Sequence, residues 1–440
     1  MVSGSDSRLA FDPRSGLNKY FCPVTPQFNL VCASSCTASP IGLGGFGRAS
    51  MAYEAVVGAE SARDRARLQA EQHHAAKASL LRYFEVAGLA DAILCPSGTD
   101  ALLMATMLVA GEQPGLPMTA IIPSASETGT GVPLAATCRS FDGPRYGTSL
   151  IDHVVNAIEI PLRSDNGEPR SEDEVNAAFA TASARGRTVI YLTHGTKTGL
   201  VAPTWPSPGA DVIVDACQVR MEGTEVAAYL RRGWPVVVTG SKFFGGPAFS
   251  GAVLFPRERL SALRRRLPAA RGYAGLGLGG GLEPGFGTVL RWIAALDTIE
   301  AFKPLAGGMA GLLRDRATIV HRAIANNPAL APVSGPPPRG PEWSGLQSIF
   351  TFGVRDPADH RRLLSAAELR PLYEGLARRG VLLGQPVSLG PFGGLRIAVG
   401  ARDLVDGPSD AGLLRLFDAL EEATAPVTPA SARERRSAWH

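Results

Sequence analysis

Residues 236–255 read VVVTGSKFFGGPAFSGAVLF. The β-branched run Val236–Val238 has the composition of a buried strand. A Thr-Gly-Ser turn follows it, then Lys242, then a glycine-rich stretch with the character of a hairpin. The chain uses lysine sparingly, with five (19, 77, 197, 242 and 303) against 39 arginines. A primary amine forms a Schiff base with a carbonyl and a guanidinium does not. A lysine at the end of a strand in so arginine-rich a chain therefore suggests covalent chemistry. Taken alone, Lys242 also reads as a solvated loop lysine.

Upstream and downstream of this stretch, short apolar runs alternate with helical patterns. Strands are expected at Ala92–Leu94, Ala120–Ile122, Val155–Leu162, Val189–Leu192 and Val212–Val214. Thr99–Val109 reads as a helix, and Ser171 with Glu174 forms an S-x-x-E capping box opening another. Continuous apolar strands separated by helices imply a mostly parallel sheet covered on both faces. Residues 1–48 read as an irregular arm ending in the Gly-rich loop PIGLGGFGR. A long helix is expected from about Ser50 to Val86, with His73 and His74 on its exposed face. Val289–Phe302 reads as a helix, Ser348–Val354 and Leu395–Val399 as strands. A last amphipathic helix from Ser409 presents Leu413, Leu416, Phe417 and Leu420. The expected organisation is an arm (1–48), a large α/β domain (49–300), a smaller α+β domain (301–425) and a disordered tail (426–440).

The 440 residues carry a net charge of +4, with 45% apolar and 19% charged residues. No basic block argues for nucleic acid. No run reaches the roughly 20 apolar residues of a membrane span, and no signal-peptide pattern opens the chain. Six cysteines (22, 32, 36, 95, 138 and 217) are present. Cys32 and Cys36 have no second Cys/His pair at zinc spacing. Reduced thiols of a cytoplasmic protein are the expectation, with no metal site.

Four elements carry candidate chemistry. Ser97-Gly98-Thr99-Asp100 lies between a strand and a helix, where free N–H groups suit a phosphate; an ordinary N-cap explains it equally. Asp215 ends the strand Val212–Val214, and a buried carboxylate there needs a partner: a protonated pyridine nitrogen, an arginine or a helix N-terminus. Thr239 and Ser241 flank the turn before Lys242. Arg396, on a strand of the smaller domain, is a guanidinium of the kind that clamps a carboxylate, or else half of an ion pair within its domain. Their order in the chain supplies a phosphate cradle, a carboxylate for a ring nitrogen and an amine for an aldehyde. Pyridoxal 5'-phosphate requires those three.

SGTDA, VDACQ, TGSKFFGG and LRIAVG together resemble the class V aminotransferases of the fold-type I pyridoxal-phosphate enzymes, from about Ser97 to Glu422. The resemblance implies a Schiff base on Lys242, Asp215 on the pyridinium nitrogen and Gln218 near the ring oxygen. It implies phosphate contacts from Gly98, Thr99, Thr239 and Ser241, and an α-carboxylate clamp at Arg396. EPGFGTVL (283–290) resembles the segment that enters the neighbouring subunit's site, so Thr288 would contact phosphate across a homodimer. The chain departs from the family in two places. SASETGTG (124–131) has no aromatic to stack on the ring and puts Glu127 or Thr128 there, where Glu127 could instead meet a cationic or hydroxylated substrate group. THGTKTG (193–199) puts Thr196 where the family often has Asn. Lys197 is a competing lysine, but it precedes Asp215, whereas the family's Schiff-base lysine follows it. The family's desulfurases carry a catalytic cysteine before the C-terminal arginine strand; here Gly384–Val387 has none. The expected function is an enzyme acting on amino acids, an aminotransferase first. A β-eliminating, replacing or C–S lyase stands second, and a non-catalytic cofactor-binding protein is the remote alternative.

Overall fold

The structure, a computed structural model, describes residues 9–141, 146–152, 154–184, 186–206, 208–266, 278–279, 283–336, 339–405 and 410–425. The disordered-tail expectation for 426–440 lies outside them.

The apolar runs of the sequence assemble into one large sheet. Its strands lie in the order Ala90–Cys95, Gly251–Pro256, Val236–Thr239, Asp211–Asp215, Thr188–His194, Met118–Pro123 and Val155–Ile160; Val201–Ala202 adds to Thr188–His194. Along that order only Gly251–Pro256 runs against its neighbours. The hairpin expected after Lys242 is this reversal: the chain turns and returns as the antiparallel strand, so the turn holding Lys242 is pinned at both ends.

Both faces are covered, as the continuous apolar runs require. Val236, Val238, Val212 and Val214 pack with Leu80, Phe84, Trp292 and Phe302 on one face. Val237, Ile213, Val189 and Tyr191 pack with Leu102, Leu103 and Val109 on the other. Successive strand residues thus alternate between two cores. The helix Gly98–Gly111 is buried almost throughout, and Ser171–Glu174 forms its capping box at Glu172–Ser183.

A second sheet follows, in the order Val31–Ala33, Val381–Ser388, Gly393–Ala398, Ile349–Val354 and Leu330–Pro332. Its first strand comes from the arm and pairs parallel with Val381–Leu383. The arm is therefore not wholly irregular; three of its residues edge the smaller sheet. On the closing helix Asp410–Thr424, Leu416 and Leu420 are buried and Leu413 and Phe417 half-buried.

Three local expectations are corrected. The single helix at 50–86 is two, Leu43–Val57 and Ala62–Tyr83, the second capped by Ser61, whose side chain accepts from the Asp64 N–H. The Gly-rich segment opens the first of these helices rather than forming a loop. A Cβ at Gly45 would lie 2.5 Å from the Ala294 carbonyl oxygen and one at Gly44 2.4 Å from Asp297. Glycine lets this helix approach Phe286–Phe302 closely. His73 is buried and only His74 is exposed.

Candidate active site

Every parallel strand and Ala90–Cys95 end at the same edge of the sheet, where open α/β sheets place their sites. A cavity of about 530 Å³ opens there. Of the eleven residues singled out by the sequence, ten line it: Gly98, Thr99, Glu127, Thr196, Asp215, Gln218, Thr239, Ser241, Lys242 and Arg396. Register explains how distant residues meet. Cys95 and Thr239 both pair with Gly251, so the Ser97–Thr99 turn and the Thr239–Lys242 turn lie on either side of one strand. A Cβ at Gly251 would stand 2.0 Å from the Ser97 carbonyl oxygen, so only glycine permits that approach.

Ser97 caps the helix Gly98–Gly111: its hydroxyl accepts from the Asp100 N–H and its carbonyl from the Ala101 N–H. The Gly98 and Thr99 N–H groups are thereby left at the positive end of the helix dipole. A Cβ on Gly98 would meet Cys217 Sγ at 2.8 Å and Thr239 at 2.9 Å. The turn of Lys242 is fixed from behind. Gly240 and Gly246 both pack on Ala295 of Phe286–Phe302, where an added Cβ would lie 2.5 Å away. Gly245 has φ +63, a conformation glycine adopts at little cost. Among the described residues the Lys242 amine has no hydrogen bond or ion pair.

Asp215 is buried, and its Oδ1 accepts from the Cys217 N–H at 3.1 Å. No described cation pairs with it. A buried carboxylate with one backbone donor calls for a positive partner. Its strand neighbour Thr193 lines the same cavity, with a buried hydroxyl that has no partner.

Arg396 is also buried. Its Nη1 donates to the Lys197 carbonyl at 3.1 Å and its Nη2 to the Gln385 carbonyl at 2.8 Å, while Nε is left without a partner. Desolvation lowers its pKa. The two carbonyls orient the guanidinium without neutralising it, and among the described residues the ion pair considered from sequence is not made.

Several expected ligand contacts are already occupied within the chain. Glu127 is buried; Arg163 Nε donates to its Oε1 at 2.6 Å, and the Thr196 and Thr198 hydroxyls donate to Oε2 at 2.7 Å each. Glu127 is thus one half of an internal ion pair, and its oxygens are not free for a substrate cation. The Thr239 hydroxyl donates to the Cys217 carbonyl at 2.7 Å, so its proton is not offered to a phosphate. The Gln218 side chain is turned to the arm: Oε1 accepts from Ser35 at 2.6 Å and Arg220 at 2.8 Å, and Nε2 donates to the Ser35 carbonyl at 3.3 Å. Thr288 does not line the cavity. It is buried on its own helix and accepts from Arg291 Nη2 at 3.0 Å, so within this chain its hydroxyl faces inward.

The sequence reading assigned no role in the site to several residues that contribute to it. Arg163 neutralises Glu127, but nothing in PLRSDNG marked it. Arg220, buried with its pKa pushed down to about 9 by desolvation, joins the arm, the large sheet and the smaller domain through Ser35, Gln218 and Ser348. It lies two residues beyond Gln218, a spacing that could have drawn notice. Cys36 brings an arm thiol to the cavity wall, although the segment Gly384–Val387 has none. Lys197, set aside on chain order, lines the cavity with Lys242. Phe141, Tyr146, Tyr20 and Phe249 supply the aromatic lining that 124–131 lacks.

No protein-family model matches the sequence, and no curated protein does. Solved structures do match. A cysteine desulfurase from Escherichia coli is 17% identical, covering 90% of this chain and 95% of that one, with a TM-score of 0.57. The glutamate decarboxylase domain of a Vibrio parahaemolyticus transaminase–decarboxylase is 15% identical, covering 90% and 81%, with a TM-score of 0.60. A C-DES variant with glycine covalently linked to its PLP cofactor is 13% identical, covering 90% and 100%, with a TM-score of 0.56. The order of strands, the cavity at their ends and these likenesses agree: this chain has the fold of the type I pyridoxal-phosphate-dependent enzymes.

Proposed function

We propose that the chain is a pyridoxal-phosphate-dependent enzyme acting on amino acids, and specifically an aminotransferase. The observation that carries the cofactor is the presence, in one cavity, of a buried carboxylate (Asp215) and a lysine amine (Lys242) that, among the described residues, have no cation and no hydrogen-bond or ion-pair partner respectively. The donor set fits. The Gly98 and Thr99 N–H groups with the Thr99 and Ser241 hydroxyls would hold the phosphate, Asp215 the ring nitrogen, and Lys242 the aldehyde. Bound there, the cofactor supplies an electron sink for a bond broken at the substrate's α-carbon.

The chain's own residues do the rest. Arg396, fixed by two carbonyls, binds the substrate carboxylate and so sets which α-bond is presented for cleavage. Lys242 carries the α-proton as base and then as acid. Glu127 is paired with Arg163 and its oxygens are occupied by Arg163, Thr196 and Thr198. Among the described residues Lys242 is the cavity's buried-turn amine with no hydrogen bond or ion pair, placed to move a proton from one atom to another, as transamination demands. A second reading, a lyase, is favoured by the Cys36 thiol on the cavity wall.

A homodimer belongs to the same proposal. The helix Leu43–Val57 exposes Leu43, Met51, Tyr53 and Val57, an apolar face suited to a second copy. Light scattering reads the mass directly, and a monomer at working concentration removes this part.

The purified protein mixed with pyridoxal phosphate is expected to gain a visible band that Lys242→Ala abolishes. An unaltered band in that variant would exclude Lys242. An amino-acid panel without keto-acid acceptor then separates the reactions: conversion of the cofactor to its amine form supports transamination, and release of ammonia with a keto acid supports elimination.

A further inference from the structure

We propose that this cavity selects amino acids whose side chain bears a second anionic group, and that Lys197 is the residue that recognises it. The inference rests on the reading of the cavity as an amino-acid site. It begins with charge. The described lining carries five cations, Lys19, Lys197, Lys242, Arg370 and Arg396, and two carboxylates, Glu127 and Asp215. Glu127 is matched by Arg163. Asp215 and Lys242 are assigned to the cofactor, and Arg396 to the α-carboxylate. Lys19 and Arg370 are exposed and solvated. Lys197 remains, a half-buried cation in the cavity that forms no ion pair among the described residues; the nearest carboxylate acting on it, Glu127, is already paired with Arg163.

The Lys197 head group is held in place. Nζ donates to the carbonyls of Ala125 at 2.9 Å and Ser126 at 3.4 Å. An ammonium has three N–H donors, so one stays available. Burial and the nearby Arg396 oppose its charge, a cost that an anion bound beside it relieves. Arg396 Nη1 donates to the carbonyl of Lys197 itself, so the Arg396 guanidinium is docked on the backbone from which the Lys197 side chain extends. A neutral amino acid needs one of the two cations. A substrate with two anionic groups uses both, and the repulsion between them becomes selectivity.

The test compares isosteres. The holoenzyme is titrated with L-aspartate against L-asparagine and with L-glutamate against L-glutamine, binding being read from the cofactor's absorbance. In parallel, succinate binding to the cofactor-free protein is measured by calorimetry. The acid of one pair is expected to bind at least about tenfold tighter than its amide. Lys197→Met is expected to collapse that ratio towards one, while Lys197→Arg retains most of it, which shows that charge and not folding is at stake. Equal affinity for acid and amide in the unaltered protein overturns the proposal, as does a ratio that survives Lys197→Met. Failure of the cofactor reading shows itself separately, as no visible band on adding pyridoxal phosphate. In that event succinate decides: binding weakened about tenfold by Lys197→Met supports the proposal, and absence of binding overturns it.

Discussion

Gly384 and Arg396 are register partners on adjacent antiparallel strands, and a Cβ at position 384 would lie 2.9 Å from Arg396 Nε and 3.1 Å from Cζ. The glycine is the space the guanidinium occupies. Gly384→Ala is expected to displace Arg396 and raise KM for amino-acid substrates about tenfold or more, with a smaller change in kcat. Overpacking of this kind costs about 1–3 kcal/mol. Steady-state kinetics check it, and an unchanged KM would separate Arg396 from substrate binding.

Asp215 has a single backbone donor and no described cation. Asp215→Asn keeps the shape and removes the charge. Turnover is expected to fall about 10²–10³-fold, in keeping with the loss of one partner of a buried charge pair, and the visible band should shift as the ring nitrogen loses its proton. Spectra and single-turnover rates measured together read both effects.

The Glu127–Arg163 pair, at 2.6 Å with side chains 1% and 7% exposed, is a framework element. Glu127→Gln leaves a buried guanidinium unneutralised and is expected to lower stability by about 3–5 kcal/mol. Urea unfolding measures it. A variant as stable as the parent would return Glu127 to the substrate-binding role first considered.

Lys197 has its pKa pushed down to about 8, first by burial, then by repulsion from Arg396 and Lys242 against attraction from Glu127 and Cys36. It is cationic below that value and neutral above it. The preference for acidic over amide substrates should be constant on the acid side and decline as pH rises through about 8. A bound anion moves the midpoint upward. Binding ratios across this range test the sign.

His194, at the end of its strand, lies 3.2 Å from the Tyr229 hydroxyl, and burial followed by the Arg339 charge lowers its pKa to about 4. The unfolded chain, with a histidine near 6.5, takes up the proton first as pH falls. Stability is therefore present above about 6.5 and is lost between that value and about 4, by up to about 3 kcal/mol. His194→Gln should flatten this part of the urea midpoint's pH profile.

Much of this molecule follows from local pattern. Apolar runs of β-branched residues dictate buried strands, and residues at the strand ends must emerge together once the strands are parallel. Asp215, Lys242 and the Gly98–Thr99 turn were legible for that reason, and ten of the eleven chosen residues share one cavity. The sequence could not disclose which polar atoms remain free, because their partners lie far along the chain. Ser35 is 183 residues from Gln218, and Lys197 is 199 residues from Arg396. Tertiary packing commits Glu127 to Arg163, Thr239 to Cys217 and Gln218 to Ser35. The same packing brings Lys197 and Cys36 to the cavity wall. Hydrophobic periodicity acts over a few residues and sets the strands; a hydrogen bond or ion pair needs atoms within about 3–4 Å, and only the assembled fold decides which side chains meet that condition.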